Sequence, residues 1–214
     1  MSGWSLEAYR HMSWLILGRR NWLQQPINEN FSETGVPTSR HRWYALSAPD
    51  WDSTSHATLD GQAVDCVAGS FAVDFVADDF YVKFNYEGGN IASERYLAYI
   101  REGPGLSNDL GVALKQTAAE KMRMYINGGV RTASSAFTLL VSTKYYVWMD
   151  YKISGLCYVG ISTIDSKPTT GTDTATAWAD TATDTTGVTM GSINCVDSTG
   201  VSWFDNLQVD ASAL

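Results

Sequence analysis

At 214 residues, with 44% hydrophobic and 12% aromatic side chains, the chain carries enough apolar material for one large core, and its low charged fraction of 18% excludes disorder over the whole length. Fifteen Lys and Arg against 23 Asp and Glu leave a net charge of −8, which opposes phosphate backbones and anionic lipid. Neither nucleic acid nor a membrane is an expected partner, because the basic clusters Arg19-Arg20 and Arg40-His41-Arg42 are too short for a nucleic-acid tract.

Residues 1 to 25 differ from the rest. Ser5 is placed as an N-cap, Glu7 stands in the first turn, and Gly18-Arg19-Arg20 supplies a stop, which together predict a short helix over about 6 to 17. Leu6, Tyr9, Met12, Trp14, Leu15 and Ile16 are apolar on several of its sides, so this arm needs cover from its own domain or a neighbouring subunit. Trp4, Trp14, Leu15 and Trp22 are the candidate partner-docking residues. The run Trp14-Leu15-Ile16-Leu17 is shorter than the roughly 7 to 15 residues of a secretory apolar region, which predicts synthesis in the cytoplasm without a leader.

From Asn30-Phe31 onward, short strand-like segments alternate with turn chemistry, the pattern of an antiparallel two-sheet β-sandwich spanning 26 to 214 as one all-β domain. Strands are predicted at 62–68, 71–76, 80–86, 95–101, 110–115, 121–126, 136–141, 145–152, 156–163, 190–196 and 201–209. Lys121 to Ile126 alternates and then meets Asn127-Gly128-Gly129, a hairpin signal that sends Met122, Met124 and Ile126 to the core. The same period separates Val82, Phe84 and Tyr86 from Tyr81, Lys83 and Asn85. Residues 169 to 189 are rich in threonine with Trp178 as their large apolar residue, which predicts a long surface loop with room for a short edge strand, pinned by Trp178. Cys66, Cys157 and Cys195 form an odd set beside apolar residues and read as small buried hydrophobes, with a Cys66 to Cys195 pair left open.

Three stretches in order resemble the concanavalin A-like lectin/glucanase superfamily in its laminin-G-like and phage-type forms: Ile27 to Pro37, Phe137 to Tyr151, and Val201 to Val209 with its Trp203-Phe204-Asp205-Asn206 core. The resemblance implies a jelly roll whose closing strand, 203–209, pairs with the first, around Asn30-Phe31. It implies no ligand, because fold and function separate readily. Asp205 and Asn206 are expected to cap local backbone where the last strand bends. Of Trp203 and Phe204, which point to opposite faces, one is expected in the core.

Catalytic signals are missing from the residues. Retaining glycoside hydrolysis needs two carboxylates about 5 Å apart, yet Glu7, Glu29, Glu33, Glu87, Glu94, Glu102 and Glu120 are scattered. His11, His41 and His56 fall in the N-terminal part, away from the strands a lyase of this superfamily would use. No nucleophile elbow, phosphate loop or zinc spacing is present, so neither an enzyme nor a cofactor is expected. A metal is not expected either, although Asp173, Asp180 and Asp184 could hold calcium.

Binding is the remaining class. Tyr99, Arg101, Lys121, Arg123, Tyr125, Trp148 and Asp150 are the outward-facing candidates for a sugar site, rings for sugar faces and charges for orientation. The leading expectation is a non-enzymatic structural or decoration protein of a virion, made in the host cytoplasm, assembling with other virion proteins or with itself and taking a polysaccharide ligand. A free carbohydrate-binding module and a divergent glycoside hydrolase or polysaccharide lyase are the alternatives.

Overall fold

The structure is a computed structural model that describes residues 25–31, 43–47, 50–56, 61–65, 70–75, 79–88, 95–102, 112–116, 122–126, 129–130, 139–152, 156–169, 175–181, 191–196 and 202–214. Its strands are β1 (Ile27–Glu29), β2 (Trp43–Ser47), β3 (Asp50–His56), β4 (Gly61–Asp65), β5 (Ser70–Phe75), β6 (Asp79–Gly88), β7 (Arg95–Glu102) and β8 (Val112–Gln116). They continue as β9 (Met122–Ile126), β10 (Gly129–Val130), β11 (Tyr145–Lys152), β12 (Leu156–Ser162), β13 (Ala175–Thr181), β14 (Gly191–Val196) and β15 (Ser202–Asp210). One eight-stranded sheet runs β13-β12-β11-β6-β15-β4-β3, with β1 added on β15; a seven-stranded sheet runs β10-β9-β8-β7-β14-β5-β2. Every pairing is antiparallel, which is the all-β two-sheet architecture that the alternating sequence predicts.

Alternation explains how one core forms between the sheets. Val82, Phe84 and Tyr86 of β6, Val147 and Met149 of β11, and Phe204, Leu207 and Val209 of β15 enter it from the larger sheet. Val73, Phe75, Ala98, Ile100 and Met124 meet them from the smaller one. A buried phenylalanine of this kind contributes on the order of 1.5–3 kcal/mol, and Phe204 packs on both Phe84 and Tyr86 at 5.8 and 5.4 Å between ring centroids. The Tyr86 hydroxyl, carried into the core, shares a hydrogen bond of 3.1 Å with Ser202 Oγ, so its burial leaves that polar tip satisfied. Cys157 is buried in the same core, as expected of a small hydrophobe, while Cys66 lies outside the described residues.

The closing strand is organised by its Asp-Asn pair. One edge of β15 pairs with β6 along its length, while the other edge is divided: Trp203 and Phe204 face β4, and Leu207 to Val209 face β1. The change falls at a register shift where Asn206 adopts φ 49°, a left-handed conformation that asparagine tolerates better than most residues. Asp205 holds the bend: its Oδ1 accepts the Asn206 backbone N–H at 2.7 Å and its Oδ2 accepts from Asn206 Nδ2 at 2.9 Å. Local capping was expected there, and Phe204 rather than Trp203 takes the core position.

Three expectations differ in detail. The first strand pairs through Ile27 to Glu29 and not through Asn30-Phe31, because Phe31 turns to φ 49° and gives its N–H to Glu29 Oε1 at 2.9 Å, ending the ladder. Within the predicted strand 136–141, Leu139 reaches the core but Leu140 and Val141 are exposed and lead into a turn at Ser142, φ 51°. Strands β2 and β3 form where no strand is predicted, whereas the short edge strand for which the threonine-rich stretch left room does form, as β13 on β12. The predicted arm, with Trp4, Trp14, Leu15 and Trp22, lies outside the described residues.

Candidate functional site

Because Tyr145, Val147, Met149 and Tyr151 of β11 go into the core, the alternate residues Tyr146, Trp148, Asp150 and Lys152 take the outer face of the eight-stranded sheet. Register extends this face sideways in rows: Tyr81–Asp150–Tyr158, Lys83–Trp148–Gly160 and Asn85–Tyr146–Ser162. An open aromatic platform would follow, except that the chain leaving β12 folds back over it through residues 163–169. Lys83 Nζ lies 2.6 Å from Asp165 Oδ1, and Lys167 Nζ donates to both carboxylate oxygens of Asp150 at 2.6 and 2.9 Å. The Tyr158 hydroxyl donates to the Pro168 carbonyl. Trp148 is left only 3% exposed.

Gly160 makes this closure feasible. A Cβ there would clash with the Tyr158 hydroxyl and lie 2.8 Å from Tyr158 Cζ and 3.0 Å from Pro168 Cγ, so any side chain at this position would have to shift the Tyr158 ring whose hydroxyl holds the Pro168 carbonyl. The two ion pairs differ in strength. Asp165 is 52% exposed and Lys83 21%, so their pair belongs to the surface class worth about 0–1 kcal/mol. The Asp150 side chain is 11% exposed and takes two charge-assisted bonds, a firmer anchor. Burial pushes the Asp150 carboxyl above the ordinary aspartate range, opposed by the hydrogen bond and charge of Lys167 and by the charge of Lys152. Burial also raises Tyr158, with Asp150 adding to the rise.

The lysines lie over rings as well. Lys167 Nζ is 4.8 Å from the Tyr158 centroid and 5.9 Å from that of Tyr81; Lys83 Nζ is 5.9 and 5.6 Å from those of Tyr146 and Trp148. Asp150 and Asp165 are each tied to a lysine, so this face presents a covered aromatic floor and not a pair of carboxylates set for acid-base work. Among the described residues no group of three or more His, Cys, Asp or Glu comes together to hold a metal ion.

The other sheet collects a different set. Tyr99 and Arg101 stand on β7, Arg123 and Tyr125 on β9, and Lys121 lies outside the described residues. The pairings place Tyr44, Ala72, Asn194, Tyr99, Ala113 and Tyr125 in one row across β2, β5, β14, β7, β8 and β9. That row alternates with Trp43–Val73–Ile193–Ile100 and with Ala98–Leu114–Met124, whose members Val73, Ile100, Ala98 and Met124 are in the core. By strand alternation the tyrosine row belongs to the opposite face. Asp74–Ser192–Arg101 and Tyr96–Lys115–Arg123 flank it on its two sides.

The structure therefore divides the six binding candidates among the described residues: Tyr99, Arg101, Arg123 and Tyr125 share one sheet, while Trp148 and Asp150 belong to the other and sit beneath the folded-back loop. Sequence reasoning missed Tyr44 and Asn194, which join the row through strands distant in the chain, and missed Lys83, Tyr158, Asp165 and Lys167 around Trp148. Alternation within the strand is the only sequence signal for Tyr44, Asn194, Lys83 and Tyr158, and Asp165 and Lys167, in the loop after β12, have none.

No family model matches the chain, and no curated protein sequence matches it significantly. Solved structures do match. The binding domain of botulinum neurotoxin serotype D aligns with a TM-score of 0.58 at 10% identity, over 91% of this chain and 50% of that one. A botulinum neurotoxin type C structure, described as depending on two ganglioside molecules for cell entry, gives 0.56 at 11% identity over 91% and 49%. The serotype D ligand-binding domain in complex with N-acetylneuraminic acid gives 0.55 at 10% identity over 92% and 50%. The chain spans about half the length of these structures, and at such identities the likeness concerns fold. What it establishes is an all-β sandwich fold shared with part of those structures.

Proposed function

We propose that this chain is a non-catalytic, lectin-like binding module that takes a polysaccharide along the tyrosine row of the seven-stranded sheet. The observation that carries this reading is the register that aligns Tyr44, Asn194, Tyr99 and Tyr125, with alanines between them, across six neighbouring strands. At about 4.8 Å per strand the row is about 24 Å long, room for several sugar rings. Tyrosine suits the C–H faces of pyranoses, and the asparagine with flanking Arg101 and Arg123 suits their hydroxyls. The names of the matched structures, which include a sialic acid complex and a ganglioside-dependent toxin, support the ligand class; they describe proteins about twice as long and do not locate a site.

A glycan array followed by polysaccharide retention measurements tests the reading. Tyr99→Ala and Tyr125→Ala should each weaken the retained glycan about tenfold or more, the loss typical of an aromatic anchor. Retention of no glycan, or retention indifferent to both changes, overturns it.

The setting we propose, a virion surface with residues 1 to 25 docking on other virion proteins or a second copy, draws its support from the concanavalin A-like, phage-type sequence resemblance and from the apolar make-up of Trp4, Trp14, Leu15 and Trp22. Removing residues 1 to 25 should abolish assembly and leave a folded β domain; assembly that persists contradicts it.

A further inference from the structure

We infer that the outer face of the eight-stranded sheet holds a second binding site, for a carboxylate-bearing sugar such as a hexuronate, and that the chain's own Asp165 keeps it filled. Lys83 Nζ is the centre of the site. It lies over two aromatic rings, 5.9 Å from the Tyr146 centroid and 5.6 Å from that of Trp148, and the rings themselves are 6.2 Å apart at 30°. Lys144 Nζ adds a second cation 5.0 Å from the Tyr146 centroid. A cation beside an accessible ring is what a pyranose carrying a carboxylate requires: the acid takes Lys83 and the sugar lies on the half-buried Tyr146, with Trp148 remaining under the loop.

The carboxylate now on Lys83 is Asp165, at 2.6 Å. Ile164, Asp165 and Ser166 are exposed, and the hydrogen bonds that shape this part of the loop, Ile164 N–H to Ser162 Oγ at 3.0 Å and Ser166 N–H to the Ile164 carbonyl at 2.7 Å, do not use the Asp165 side chain. The far part is anchored independently, by Lys167 on Asp150 and by the Pro168 carbonyl on the Tyr158 hydroxyl. Asp165 can therefore leave without the loop unfolding from the sheet. Displaced Asp165 stays on the chain, so an external acid adds one negative charge to the net −8, and Lys83 with Lys144 nearby offsets it locally. As an internal competitor at millimolar effective concentration, Asp165 would mask the affinity of an external acid until it is removed.

The full chain carrying Asp165→Asn, at an exposed position where the fold is not at stake, decides the matter by titration with glucuronate in calorimetry or ligand-observed NMR. Binding should tighten about two- to fivefold over the parent chain, the range a surface ion pair can mask, disappear when Lys83→Gln is added, exceed acetate binding by a similar factor, and be absent for glucose. No gain with Asp165→Asn, a gain that survives Lys83→Gln, or acetate binding equal to glucuronate overturns the inference. Tyr99→Ala with Tyr125→Ala separates the two sites: the gain should persist in their presence, and its loss would assign the binding to the tyrosine row instead.

Discussion

Asp150 shows how a residue set outward by alternation becomes part of a covered structure. Its carboxyl sits above the ordinary aspartate range because burial outweighs the help it receives from Lys167 and Lys152. The folded chain therefore holds the Asp150 proton more tightly than the unfolded chain does. Its contribution favours the fold below the ordinary aspartate pKa of about 3.9 and is lost as pH rises through the raised value. Asp150→Asn lacks that titration. Urea denaturation of the two proteins should show the variant gaining stability relative to the parent between pH 3 and pH 7; a flat or opposite difference would refute the assignment. That Trp148 and Asp150 share a face was legible from their spacing of two along one strand. The loop above them was not, since Lys167 lies 17 residues beyond Asp150 and nothing local in the sequence joins them.

At the level of elements, the closing strand was the most legible feature, because Phe204, Leu207 and Val209 mark its core face and Asp205-Asn206 marks its bend. The left-handed Asn206 links the half that pairs with β4 to the half that pairs with β1. Asn206→Gly keeps that backbone accessible, whereas Asn206→Val penalises it, so the valine variant should be less stable than the glycine variant by about 1–2 kcal/mol or more in urea denaturation. Equal stabilities would show that the bend does not depend on this conformation. Other elements were hidden for physical reasons. Strand β3, with Asp50, Asp52, Ser53 and Ser55, lacks an apolar alternation to announce it, whereas the threonine content of β13 left room for an edge strand without marking its bounds. Leu139 and Leu140 look alike in sequence, yet one fills the core and the next is exposed, because the turn at Ser142 replaces a strand there.

Across the whole molecule, alternation was enough to anticipate two antiparallel sheets around one core, but the order of strands was not. β14 inserts between β5 and β7, and that insertion brings Asn194 between Ala72 and Tyr99. The same order sends Tyr99 and Tyr125 to one sheet and Trp148 to the other, so a candidate set drawn from outward-facing residues alone mixed two faces with different fates. One is occupied by the chain's own loop, and the other carries the tyrosine row proposed to hold glycan. Amide chemical-shift mapping of the full chain, titrated with a neutral oligosaccharide retained on the array, compares the faces directly. The shifts should concentrate on Asn194, Tyr99, Ala113 and Tyr125 in β14, β7, β8 and β9; shifts concentrated instead on β6, β11 and β12 would contradict the assignment of the binding face.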